Sequence, residues 1–196
     1  MRTAWGYDTD QIEPLLSIDD FYDMTGGAYS GNNDSVAAAL AAASAAIRNY
    51  CGWHICPSLE CTAHPVGGGK ILRLPAGYVS DIGSVTEDGT ELTEGQYEWR
   101  SDGLLRRTCF RNWSGRWDAI RVNYTAGYDI AAVPDLAEAV RAITASVLAV
   151  SAGVMSESAD GVSISYSANA SSIAAALTPQ YKHALEIYKV VNSYGA

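Results

Sequence analysis

Three shortages narrow this sequence before any pattern in it is read. Basic residues are scarce: 13 Lys and Arg stand against 22 Asp and Glu, giving a formal charge of −9 and a pI near 4.7. A protein that grips nucleic-acid phosphates needs clustered cations, so that class is disfavoured. A surface that DNA slides past without adhering is compatible with the same charge. Long apolar runs are also lacking. The longest, Val36–Ile47 and Ala137–Val150, are Ala-rich and broken by Ser, Arg or Glu, and neither supplies the roughly 20 strongly apolar residues of a bilayer span. Met1–Asp10 is polar and shows no export signal, so a soluble protein made in a cytoplasm, with reduced thiols at its four cysteines, is expected.

Catalytic patterns are the third shortage. No Gly-x-Ser-x-Gly elbow is present, and Gly83-Ser84 opens a predicted strand rather than a strand-to-helix turn. His54, His64 and His183 are scattered. Gly67-Gly68-Gly69-Lys70 is half of a phosphate loop without its flanking signals and with a strand after it, so it reads as a flexible turn. Cys51, His54, Cys56, Cys61 and His64 crowd within fourteen residues. Their spacing is not the paired Cys-x-x-Cys of a zinc ribbon, and cysteine is a common small buried residue. No catalytic, cofactor-binding or metal-binding residue is therefore expected.

What the sequence has is apolar content, 48% against 18% charged, enough for a sizeable core. After the polar stretch Ser30–Asp34, whose Asp34 or a neighbour can cap a helix, Val36, Leu40, Ala43, Ile47 and Tyr50 recur at spacings of 4, 3, 4 and 3. That is one stripe of a helix ended by Gly52. The texture from Ile55 to Tyr128 differs: short apolar runs alternate with Gly, Asp and Pro, and Asp88-Gly89 and Asp102-Gly103 signal tight turns. An antiparallel lobe of four to six strands is predicted. Pro134-Asp135 reopens helical texture, with Leu136, Val140, Ile143, Val147 and Val150 repeating the first stripe and Gly153 stopping it. Two matched stripes predict helices that pack together. Ser156–Ser167 reads as a hairpin or extended arm around Asp160-Gly161, and Thr178-Pro179 opens a last helix with Tyr181, Leu185 and Tyr188 on one side.

The predicted fold is α+β: a small helical bundle of two long packed helices plus a C-terminal helix, with an inserted antiparallel β lobe. Residues 1–54 and 129–196 would form one unit, and 55–128 the insertion. Aromatics are skewed, with twelve Tyr and five Trp against two Phe. Tyr and Trp carry a polar tip on an apolar body and are enriched at interfaces, although core and cross-strand packing explains them equally. Arg106, Arg107, Arg111, Arg116 and Arg121 run among Trp99, Trp113 and Trp117; nucleic-acid contact is one reading of them, and pairing with an acidic neighbouring subunit is the one the overall charge favours.

Four segments together resemble the phage head–tail connector (head-completion adaptor) family, including its relatives in gene transfer agents. They are Ala46-Ile47-Arg48-Asn49-Tyr50-Cys51-Gly52-Trp53; Val122-Asn123-Tyr124-Thr125-Ala126-Gly127-Tyr128 leading to Val133-Pro134-Asp135-Leu136; Ser156-Glu157-Ser158 with Asp160-Gly161-Val162-Ser163-Ile164-Ser165-Tyr166; and a closing helix with Leu185 and Tyr188. Their order covers about Ser17 to Tyr188. Small members of that family are mostly helical, whereas this chain carries a β insertion.

The resemblance implies a non-enzymatic virion protein without cofactor. It would form a homo-oligomeric ring, commonly twelve-fold, beneath the portal and above a stopper or tail component, with DNA passing through the lumen and no membrane involved. It further implies that the segment from Tyr181 on, with Leu185, Tyr188 and Tyr194, contacts the portal, and that the arm bearing Ser156, Glu157, Asp160 and Tyr166 reaches a neighbour or the stopper. Truncation after Tyr181 is expected to leave a folded protein that no longer binds portal. A tail-completion protein, or a carbohydrate- or peptide-binding module built on the Trp-rich lobe, are the alternatives.

Overall fold

A computed structural model of the chain describes residues 3–10, 12–31, 33–109, 111–151, 156–159, 162–165 and 178–190. Helices and antiparallel sheets make a mixed α+β fold, divided into two compact units.

The helical unit draws on Glu13–Tyr50 and Ile130–Ile187. Helix α1 (Ile18–Met24) starts where the Ser17 hydroxyl accepts the Asp20 N–H at 3.1 Å, and it buries Phe21. The long helix α2 (Asn33–Cys51) buries Val36, Leu40, Ala43 and Ile47, the stripe its spacing predicts. Tyr50 is only half-buried, and its hydroxyl donates to Glu186 Oε2 at 2.8 Å. Gly52, with φ of +82°, follows the last turn, a backbone that glycine adopts without a Cβ penalty. Two polar side chains on the buried side fasten the segment before α1: Ser44 Oγ accepts from Leu15 N at 2.9 Å, and Arg48 donates to Glu13 O at 2.7 Å.

Pro134 opens α3 (Pro134–Ser151), which buries Leu136, Val140 and Ile143, while Val147 is half-exposed. The predicted stop at Gly153 lies outside the described residues. Helix α4 (Pro179–Leu185) has its proline in the first turn, packs against α3 and buries Leu185. In the predicted arm, β9 (Ser156–Ala159) pairs antiparallel with β10 (Val162–Ser165), Ser156 opposite Ser165. Asp160 and Tyr166 lie outside the described residues, as does Tyr194.

The β unit contains Cys51–Asp129, the start of the chain and the residues from Tyr188 on. One sheet has five strands in the order β1 (Tyr7–Thr9), β2 (Leu59–Ala63), β8 (Ile120–Ala126), β4 (Val79–Glu87) and β5 (Thr90–Glu91). A second has three: β3 (Ile71–Arg73), β7 (Leu104–Arg107) and β6 (Tyr97–Trp99). All pairs are antiparallel. Seven strands between Leu59 and Ala126, where four to six were predicted, reflect short pieces such as Thr90–Glu91 that no periodicity test resolves. The larger difference is β1. Its three residues pair with β2, so the start of the chain belongs to the sheet, whereas the sequence reading grouped it with the helices.

Side chains alternate along β8 as the pleat requires: Ile120, Val122, Tyr124 and Ala126 face the core, and Arg121, Asn123 and Thr125 lie on the outer face. Asp88 and Gly89 both have positive φ, +49° and +79°, which closes the two-residue β4–β5 turn as its sequence predicts. At Asp102-Gly103 only the glycine does, at +78°.

Candidate functional site

Three of the segments that stand out in the sequence meet in the β unit. From the first, Trp53 is fully buried and its ring N–H donates to Tyr188 O at 2.6 Å. Its ring meets Tyr128 edge-on at 6.0 Å and His54 at 5.4 Å. From the second, Tyr128 N donates to Ile55 O at 2.7 Å, and the Tyr128 ring stacks on Tyr78 at 4.6 Å. From the last, Tyr188 closes on Tyr128 edge-on at 5.9 Å, and Val190 N donates to Cys51 O at 2.9 Å. Ile55 takes φ of +64° there, a conformation unfavourable for a β-branched residue that only surrounding bonds maintain.

His54 is the polar centre of this cluster, and its bonding defines its tautomer. Ala126 O, 2.9 Å from Nε2, can only accept, so Nε2 carries the proton and Nδ1 accepts from the Tyr7 hydroxyl at 2.8 Å. The same hydroxyl accepts from His54 N at 3.0 Å. A residue that offers itself as a metal ligand in the sequence is thus an internal strut that fastens β1. Tyr7→Phe is expected to cost about 1–3 kcal/mol, the penalty for stranding buried polar groups, read from the shift of a urea unfolding midpoint.

The other candidate ligands do not converge. His64 Nδ1 lies 2.5 Å from Asp118 Oδ1, and Cys51, Cys56 and Cys61 are separately buried thiols. Among the described residues no group of three or more His, Cys, Asp or Glu could hold a metal ion. Burial pushes the Cys61 thiol up to about 11, against a smaller opposing effect of its hydrogen bond to Thr9. At pH 8, a thiol reagent is expected to modify exposed Cys109 rapidly and the other three only in denaturant. The raised pKa also sets a sign: the Cys61 contribution to stability is whole below pH 9 and declines between about 9 and 11, as the unfolded thiol ionises first.

The arginine run is largely consumed within its own unit, a difference from the expected pairing with a neighbour. Arg106 pairs with Glu98 at 2.6 Å, Arg107 with Glu87 at 3.5 Å, and Arg116 with Asp88 at 3.1 Å. Arg107 also lies over the Trp113 ring at 5.6 Å. The three tryptophans do not form one platform: Trp113 is core, Trp99 is partly exposed on β6, and Trp117 is 91% exposed. Cross-strand proximity of Glu98 and Arg106, set by register, decided this and has no signature in sequence.

The outer face of the five-stranded sheet carries an open groove of about 590 Å³ that includes Asp8, Asp10, Glu60, Thr62, Asp81 and Asn123. Register explains the composition: Asp8, Thr62, Asn123 and Ser84 lie in one row across the strands, and Glu60, Thr125 and Asp81 in another. Thr62 Oγ1 donates to Asn123 Oδ1, and Asn123 Nδ2 donates to Ser84 Oγ, both at 2.8 Å. This face has no signature in the sequence, because carboxylates 73 positions apart (Asp8 to Asp81) are brought to one face only by strand order.

The residues implicated in partner contact divide sharply. Leu185 and Tyr188 are buried, Tyr181 is half-buried, and the exposed side of the segment is Lys182, His183, Glu186 and Ile187, the last 75% exposed. Ser156 and Glu157 lie on β9.

A model of one protein family, described as head completion protein, matches residues 14–191. The chain belongs to the head completion protein family. As a head completion protein it is a structural component of the virion, not an enzyme. Its fold is similar to chains in three solved assemblies of gene transfer agent (GTA) particles. They are the neck of the native particle computed with C12 symmetry (TM-score 0.64, 16% identity), the neck of the empty particle computed with C6 symmetry (0.62, 17%), and the virion of the native particle (0.60, 18%). In each, 97% of this chain and 98% of the other are covered. No curated protein matches the sequence. Among the described residues of this head completion protein, no helix is long and apolar enough to cross a membrane.

Proposed function

We propose that this chain is a head–tail connector adaptor, one subunit of a homo-oligomeric ring that sits between the portal and a stopper or tail component. The observation that carries the reading is likeness over 97% of the chain to neck subunits of particles solved with C6 and C12 symmetry. Twelve copies is the number this favours. A ring requires two different faces that meet head to tail, and a net charge of −9 is suited to a lumen through which DNA moves without sticking.

Helices α2, α3 and α4 form the bundle that carries the ring in this reading. The chain after Val190, including Tyr194, and the exposed side of α4 contact the portal, and the β9–β10 hairpin reaches a neighbour or the stopper. Burial alters the test of the C-terminal contact. A cut after Tyr181 would remove Leu185, Tyr188 and Val190 from the core, confounding binding with folding. A cut after Val190 is expected to leave an unfolding midpoint unchanged and to abolish co-purification with the portal protein of the same virus. Negative-stain images of the full chain with portal should show an added ring. Portal that remains bare at saturating protein would refute the adaptor reading.

A further inference from the structure

Two loops of the β unit, 64–71 and 111–119, are clasped into one tip. Gly68 N donates to Trp113 O at 3.0 Å, Trp113 N donates to Gly69 O at 2.8 Å, and His64 meets Asp118. A Cβ on Gly67 would stand 2.1 Å from Ser114 O, so the close approach depends on glycine. The glycine run that reads in sequence as a flexible turn is therefore one half of a built structure.

The tip presents Trp117, 91% exposed, with Val66 and Ile71, 63% and 60% exposed. Exposed Lys70 and Arg111 stand on the same loops, and neither has an ion-pair partner among the described residues. Tryptophan and arginine are among the side chains that dominate binding energy at protein interfaces. A solvated role would leave a tryptophan and two aliphatics in water for no gain.

Complementary chemistry lies elsewhere on the same unit. Asp8, Asp10, Glu60 and Asp81 along the outer-face groove also have no cationic partner among the described residues. Glu60 and His64 are four positions apart along the chain from β2 into the tip, about 13 Å if extended, so the two features occupy different places on one unit.

We propose that the tip docks on the outer sheet face of a second copy of this chain, Trp117 entering the groove and Lys70 and Arg111 meeting its carboxylates. The contact is heterologous, the kind that closes into a ring when its rotation allows. It rests on the ring reading above and deepens it by naming the faces. Opposite charges confer register and steer encounter more than they add affinity, while the buried aromatic supplies the holding energy.

The test uses full-length chain assembled with portal of the same virus, with Trp117→benzoylphenylalanine as a photo-cross-linker and imaging of every preparation. Adducts between copies that map to peptides containing Asp8, Asp10, Glu60 or Asp81 are expected. Rings whose adducts map elsewhere, reach only portal, or do not form overturn this inference and leave the ring reading intact. Absence of rings in the images overturns both. In a second arm, Lys70→Glu with Arg111→Glu is expected to reduce ring yield at least tenfold without changing the melting temperature. Adding Glu60→Lys and Asp81→Lys to the same chain should restore it. Unchanged yield in the first variant, or no restoration in the second, overturns the pairing of these faces.

Discussion

Replacing Gly127 with alanine is expected to destabilise the protein by about 3–5 kcal/mol, the sum of backbone strain and overpacking. Two independent causes act at this position. Its φ of +112° lies where an L-residue is strained. A Cβ there would also lie 2.3 Å from Pro57 O and 2.8 Å from His54 Nε2. Neither atom can retreat cheaply: one is backbone, and the other donates to Ala126 O within the buried strut to Tyr7. Gly83→Ala is the internal control. Its nearest neighbour would be Asn123 O at 3.6 Å, ordinary contact, and its φ is not in the left-handed region. That variant should stay within about 1 kcal/mol of the parent. Urea unfolding of the three proteins measures the contrast, and similar midpoints would mean that this cluster is not the rigid centre described.

Trp53→Ala is expected to cost a further-reaching 3–5 kcal/mol, about the value for emptying a core position of a large aromatic. The loss is compound. The ring fills space between His54, Tyr128 and the backbone at Gly77, where a Cβ would be only 3.0 Å from the indole. Its N–H also satisfies Tyr188 O, so the residues following α4 lose an anchor. Trp53→Phe separates the two effects. It keeps much of the packing and should cost about 1–3 kcal/mol for an orphaned buried carbonyl plus partial cavity. Hydrogen exchange at Val190 N–H, which donates to Cys51 O, should quicken in both variants ahead of exchange in β8. If Val190 exchanges at the parent rate, the segment is held by something other than Trp53.

These two positions also explain why certain short stretches of the sequence are informative. Cys51-Gly52-Trp53 and Tyr124-Thr125-Ala126-Gly127-Tyr128 lie more than 70 positions apart (Trp53 to Tyr124) and read separately as a helix end and a strand end. In the fold they are two sides of one contact: Trp53 on Tyr128, His54 on Ala126, Gly127 against Pro57. The glycine is there because a Cβ would run into the Pro57 backbone and the His54 ring.

Sequence by itself determined the elements whose physics is local. Helices α2 and α3 follow from a 3.6-residue period, their ends from Gly52 and Pro134, and the Asp88-Gly89 turn from two residues that tolerate positive φ. Membership of the head completion family was legible from the order of four short segments. Tertiary structure alone decided the rest. Strand β1 exists because Tyr7 finds His54 and β2; most of the arginines are spent because register puts carboxylates beside them. Leu185 is core because its helix packs on α3, Tyr188 because the chain returns over Trp53, and the acidic groove arises because four strands distant in sequence lie side by side. Each of these depends on which segments become neighbours, a quantity set by the summed burial of the whole chain and carried by no single stretch of it.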